Sequence, residues 1–158
     1  MTDTTEAERL FDEGDELSGR GARAIAAGEA DEGRQCYLRA IGVYEAALEA
    51  APEDDPFLSL NLRLCIGARR FGLGETEAAK VAYGEVRKAL EARPDLAAEE
   101  EGRDLLATAR LNQAECDLAA GRIDEARREV EAVLALAPDH PYGPILLERC
   151  VAASEGAA

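Results

Sequence analysis

Three times along this chain the same spacing of small residues recurs: Gly or Ala, six intervening residues, Gly, four more, then Gly or Ala. The three sets are Gly21, Gly28 and Gly33; Gly67, Gly74 and Ala79; and Ala114, Gly121 and Ala126. Their middle glycines stand 46 and 47 residues apart, and self-similarity at such an interval signals stacked supersecondary units. Each middle glycine separates two stretches of helical apolar periodicity. It is therefore expected to take the positive φ that ends a helix and lets the chain reverse, while the flanking small residues let the two helices of a hairpin approach closely.

The ends of the units carry matching signals. Apolar helices run into Pro52, Pro94 and Pro138, and proline cannot continue the backbone hydrogen-bond ladder. Asp55 before Pro56 is an expected N-cap, Asp95 and Asp139 follow their prolines as openers of the next helix, and Thr5 and Glu8 have capping-box spacing. The leading helices carry the stripes Leu10, Gly14, Leu17, Gly21 and Ile25; Leu60, Leu64, Gly67 and Phe71; and Ala107, Leu111, Ala114 and Leu118. In the following helices the stripes are Tyr37, Ile41, Tyr44 and Leu48; Ala79, Ala82, Val86 and Leu90; and Ala126, Val130 and Val133, again at three- and four-residue steps. Leu146, Leu147, Cys150 and Val151 after Pro144 predict a seventh helix closing the stack. The expected organisation is one domain over 6–154, with units at about 6–52, 56–94 and 96–138, a closing helix at about 142–154, and flexible ends at 1–5 and 155–158.

The third unit, Ala109-Arg110-Leu111-Asn112-Gln113-Ala114-Glu115-Cys116-Asp117-Leu118-Ala119-Ala120-Gly121-Arg122-Ile123-Asp124-Glu125-Ala126 and on to Ala137-Pro138-Asp139, resembles the tetratricopeptide repeat (TPR) family. Small residues, turn glycine, Glu-Ala pair and closing proline fall in register. The family usually has bulky apolar residues where Arg110, Gln113 and Asp117 stand, and the first two units carry about seven and three extra residues between glycine and proline. The resemblance covers roughly 6–152. It implies an all-α, right-handed α-solenoid of three helical hairpins plus a C-terminal capping helix, whose first helices line a groove that takes a partner segment. A HEAT-like array is the structural alternative. Glycines interrupt every stripe before coiled-coil heptads accumulate.

Charge and composition narrow the function. Acidic residues outnumber basic ones 33 to 18, for a net charge of −15; such a chain repels nucleic-acid phosphates and anionic lipid headgroups. No apolar run is long enough to span a bilayer, and the first residues are acidic where a signal peptide is basic, so a cytoplasmic location is expected. Arginine dominates the basic residues and alanine the apolar ones, which points to a bacterial source. Cys36, Cys65, Cys116 and Cys150 lie far apart with one histidine among them, which is neither zinc nor disulfide spacing. That histidine, His140, sits in a linker between prolines and reads as a turn residue, not a catalytic base. Neither a nucleophile motif nor a phosphate-cradling loop occurs. The acidic runs Glu53-Asp54-Asp55 and Glu99-Glu100-Glu101 fall at helix starts, where they favour the macrodipole. Neither enzymatic activity, a cofactor nor a metal is expected.

The arginines remain. Arg63 and Arg70 on the second leading helix, and Arg103 and Arg110 on the third, are each seven residues apart and so share a helix face. One reading makes them a basic strip that holds partner carboxylates by bidentate hydrogen bonds, with Asn61 and Asn112 bonding a peptide backbone. The plainer reading pairs them with neighbouring acids. Phe57, Phe71 and Tyr83 are candidate apolar anchors, Phe71 being expected in the core. The expected function is protein binding, as an adaptor or chaperone-like scaffold. The alternative is a self-associating homo-oligomeric subunit with Tyr142 and Leu146 at its interface.

Overall fold

The computed structural model of the chain describes residues 5–156. Among them the fold is all-α, with eight helices and no strand: α1 (Glu6–Ala26), α2 (Ala30–Ala50), α3 (Pro56–Gly72), α4 (Thr76–Glu91), α5 (Pro94–Ala98), α6 (Glu100–Ala119), α7 (Ile123–Leu136) and α8 (Gly143–Gly156). The chain divides into two compact units, Met1–Ala79 and Lys80–Ala158. Residues 1–4 and 157–158 of the expected flexible ends lie outside the described residues. Thr5 accepts a hydrogen bond from Glu8 N–H and its own N–H donates to the Glu8 carboxylate, completing the capping box of α1.

The three middle glycines are the only residues of the described chain with positive φ: Gly28 at 82°, Gly74 at 80° and Gly121 at 82°. Each closes the same motif. The glycine N–H donates to the carbonyl three residues back (Ile25, Phe71, Leu118), and the next N–H reaches the carbonyl five back, from Glu29 to Ala24, Glu75 to Arg70 and Arg122 to Asp117. These paired bonds satisfy helix-end carbonyls that would otherwise be orphaned. The longer gap between glycine and proline in the earlier repeats appears as helix length: α2 has 21 residues, α4 16 and α7 14.

In the first unit α1 packs on α2, and α2 on α3. Small residues set the approach of α1 to α2. A Cβ at Gly21 would meet the Tyr37 ring at 2.7 Å, one at Gly14 the Tyr44 ring at 2.4 Å, and one at Gly33 the Ile25 side chain at 2.4 Å. This closeness rotates the buried stripe of α1 onto Ala7, Gly14, Ser18, Gly21 and Ala24. Leu10 and Leu17 flank the core half-buried, and Ile25 is 45% exposed, contrary to the stripe expected from hydrophobicity. Tyr44, Ile41, Leu62 and Ile66 fill the centre. The buried Tyr44 hydroxyl donates to Asp15 at 2.6 Å and lies 2.9 Å from the Ser18 hydroxyl. Burial, then the Asp15 hydrogen bond, pushes the phenol well above its ordinary pKa. Burial also pushes the nearby Cys65 thiol up to about 11. The Arg69 guanidinium lies over the Tyr37 ring, 4.9 Å from its centroid, a favourable cation–π distance. Asp55 caps α3 through Leu58 N–H, with Pro56 at the first helical position.

In the second unit α5 and α7 pack on α6, and α8 on α7. Leu111, Ala114, Ala126, Val130, Leu146 and Cys150 form its buried centre. Tyr83, expected as a surface anchor, is instead 3% exposed and replaces Ala82 in the buried stripe of α4, because Tyr83 lies four residues from Ala79 and three from Val86. Phe71 is half-buried where a core position was expected. Leu146 is fully buried within its own chain and is not available to a self-association interface.

Two local features differ from the expectation at the prolines. Pro94 opens the one-turn helix α5 as well as ending α4, and Glu99 serves both as C-cap of α5 and N-cap of α6. Gly102 makes this corner possible, since a Cβ there would lie 1.9 Å from the Leu96 carbonyl. Asp139 does not open α8. The helix begins at Gly143, and in the turn before it His140 Nδ1 accepts the Tyr142 N–H at 3.2 Å while its Nε2 lies 3.2 Å from the Thr108 hydroxyl. The ring thereby ties the α7–α8 connection to α6.

Candidate functional site

Arg110, Gln113 and Asp117 of α6 form a polar seam within the second unit. Asp117 accepts from Lys80 at 2.6 Å and from Arg122 at 2.7 Å. The Gln113 amide donates to the Lys80 carbonyl at 3.3 Å and stands against Gly84. Glu129 takes Arg110 Nε at 2.5 Å and Arg87 Nη1 at 3.3 Å. Lys80 and Arg87 are themselves seven residues apart, so one face of α4 supplies both cations. Arg110 and Asp117 are the shielded members, at 16% and 15% exposure, while Lys80, Arg87 and Arg122 keep 33%, 36% and 39% of their side chains in solvent. Removing one partner therefore leaves a desolvated charge behind.

The sequence-predicted residues divide accordingly. In the first unit Asn61 donates to its own helix at the Phe57 carbonyl, Arg63 is half-buried and engaged, and Arg70 bonds Glu75 at 2.9 Å and stands 3.6 Å from Glu45. In the second unit Arg110 belongs to the seam, Asn112 is half-buried, and Arg103 is exposed, outside every ion pair formed among the described residues.

Arg103 and Arg110 are nevertheless brought together. Both line a cleft of about 240 Å³ whose walls are Leu106, Ala107, Val133, Leu136 and Ala137. The seven-residue step on α6 places the two guanidiniums two turns apart with Leu106 and Ala107 between them, and the last turn of α7 forms the opposite wall. Leu136 is 78% exposed. Next to the cleft, and sharing Arg103, Leu136 and Ala137 with it, lies a shallower depression of about 560 Å³ with Asp104, Thr108, Asp139 and His140 on its surface. No protein-family model matches the chain, and no curated protein matches it either. Among the described residues, no group of three or more His, Cys, Asp or Glu side chains is arranged to hold a metal, and no helix is long and apolar enough to cross a membrane.

Leu106 and Leu136 were not singled out by sequence reasoning. Leu136 closes an apolar run before Pro138 and reads there as the end of a helix. Its signal is that it falls off the buried stripe Ala126, Val130 and Val133, so a large aliphatic side chain is left without a core to enter.

Proposed function

We propose that this chain is a TPR-like helical repeat, a right-handed α-solenoid of three hairpins with a capping helix, that works without catalysis as a protein-interaction module. Its role is that of an adaptor or chaperone-like scaffold in the bacterial cytoplasm. Support for the repeat comes from the three hydrogen-bonded glycine turns in the same register. The observation that carries the binding reading is the apolar cleft between α6 and α7 with an exposed arginine at its rim, because interface cores are apolar pockets filled by an anchor and arginine is enriched among the residues that bind there.

Affinity capture of the tagged full chain from its native lysate, with reconstitution of any captured protein from purified components, tests this reading. A stoichiometric complex with a second protein is expected. A chain that retains only itself, and behaves in light scattering as a fixed oligomer, would replace the adaptor with a self-assembling subunit.

A further inference from the structure

Resting on the interaction-module reading, the geometry points to the occupant of the α6–α7 cleft: a polypeptide segment in which a carboxylate side chain stands next to a bulky aliphatic one. Size argues for a segment over a free small molecule. Sites for drug-sized ligands hold roughly 300–1,000 Å³ and enclose most of the ligand surface, whereas this cleft holds about 240 Å³ and is open at its side to a depression of about 560 Å³, a form that takes side chains of a running segment and does not enclose a whole ligand. It opens onto the broader polar depression through shared Arg103, Leu136 and Ala137, so a chain anchored in the cleft has a surface along which to continue.

Charge then selects the neighbour of the aliphatic anchor. Arg110 spends its Nε on Glu129, Glu129 also serves Arg87, and Arg87 is bonded to Glu91 as well, so the two cations and two acids of that cluster balance. Arg103 is exposed, outside the ion pairs among the described residues, and lines both depressions. A carboxylate placed there gains a charge-assisted bond that a neutral or basic side chain cannot make. The chain as a whole is strongly acidic, but screening limits remote charges to about 8–10 Å at physiological salt, so contact with Arg103 outweighs them. Beyond Arg103 the surface turns acidic at Asp104 and Asp139. The segment therefore carries its acid over Arg103 and donors, not further acids, toward His140.

The test is titration of the isotope-labelled full chain with the capped peptide Gly-Ser-Leu-Glu-Leu-Ser-Gly, followed by amide NMR. Shifts are expected at Leu106, Val133 and Leu136. Replacing both peptide leucines by Ala should weaken binding about tenfold or more, and replacing Glu by Gln roughly twofold to fivefold. Arg103→Ala should abolish the preference for Glu over Gln, and Leu136→Glu, another exposed position, should abolish binding. Equal binding of the Glu peptide and its Gln counterpart, or shifts confined to other helices, overturns the assignment. So do decanoate shifting the same amides with the same Arg103 dependence, which would make the cleft a fatty-acid site, and shifts on self-dilution, which would make it a contact with a second copy. A protein complex that forms while the cleft signals stay unmoved sinks this proposal and leaves the interaction module standing.

Discussion

The hairpin α1–α2 and the hairpin α6–α7 share one turn and fill their interiors in opposite ways. At corresponding places the first has Gly14, Gly21, Gly33 and Tyr37, and the other has Ala107, Ala114, Ala126 and Val130. The first thus removes side-chain volume from the helix faces and returns it as an aromatic ring, with Tyr37 lying against Gly21 and Gly72. The second uses medium side chains on both faces. The sum of volumes matters to a close-packed interior, and its division among positions is free. The division has a consequence: glycine and tyrosine make the first hairpin sensitive to any added methyl, and they admit the polar trio Tyr44, Asp15 and Ser18, which has no counterpart among the aliphatic residues at the centre of the other.

Exchanging the two packings is the most forceful way to break this comparison. Tyr37→Ala should destabilise the chain by about 3–5 kcal/mol, as expected for truncating a buried aromatic side chain, measured by urea denaturation. The converse overpacking, Val130→Tyr, should cost about 1–3 kcal/mol, and a neutral result there would mean that the third hairpin has slack the structure does not contain. Next in size are the turn glycines. Gly28→Ala, Gly74→Ala and Gly121→Ala should each cost about 1–2 kcal/mol, and the three losses should agree, because the same φ and the same two backbone bonds recur. A turn that tolerates alanine would show that its hairpin is held by packing alone. Tyr44→Phe sharpens the difference between hairpins: about 1–2 kcal/mol is expected from losing the Asp15 bond and leaving Ser18 buried without its partner. The smallest effect belongs to Arg103→Ala, with a stability change within about 0.5 kcal/mol and altered partner binding.

The turns were legible because a positive φ demands glycine, and that demand is written in one letter at a fixed interval. The caps Thr5 and Asp55 were legible for a similar reason, being local and stereochemical. The faces of the helices were harder. Hydrophobicity placed Leu10, Leu17 and Ile25 on the buried stripe of α1, whereas close approach to α2 selected the smallest side chains, down to Ser18. Tyr83 looked like an anchor until its spacing from Ala79 and Val86 placed it in the core. Of the arginine set, the seven-residue step put Arg103 and Arg110 on one face of α6, and both line the same cleft. What the step could not say is that Glu129, nineteen residues away in sequence, occupies one and leaves the other. Long-range pairing among many acids has no periodicity to read, and neither does a cleft whose far wall is supplied by another helix.

The buried phenols also decide how this chain can be watched. It has four tyrosines and no tryptophan, so no indole masks the ultraviolet change when phenol becomes phenolate. Tyr37 and Tyr44 fall in one unit, Tyr83 and Tyr142 in the other. Burial, and then its contact with Glu115, lifts Tyr142 to about 12, and Tyr44 is lifted further. An unfolded phenol ionises near its ordinary value of about 10, so the folded state holds these protons longer. Stability from this source is whole below that value and drains away as the pH climbs past it. An alkaline titration followed by absorbance thus carries one built-in optical probe of native packing in each half of the molecule.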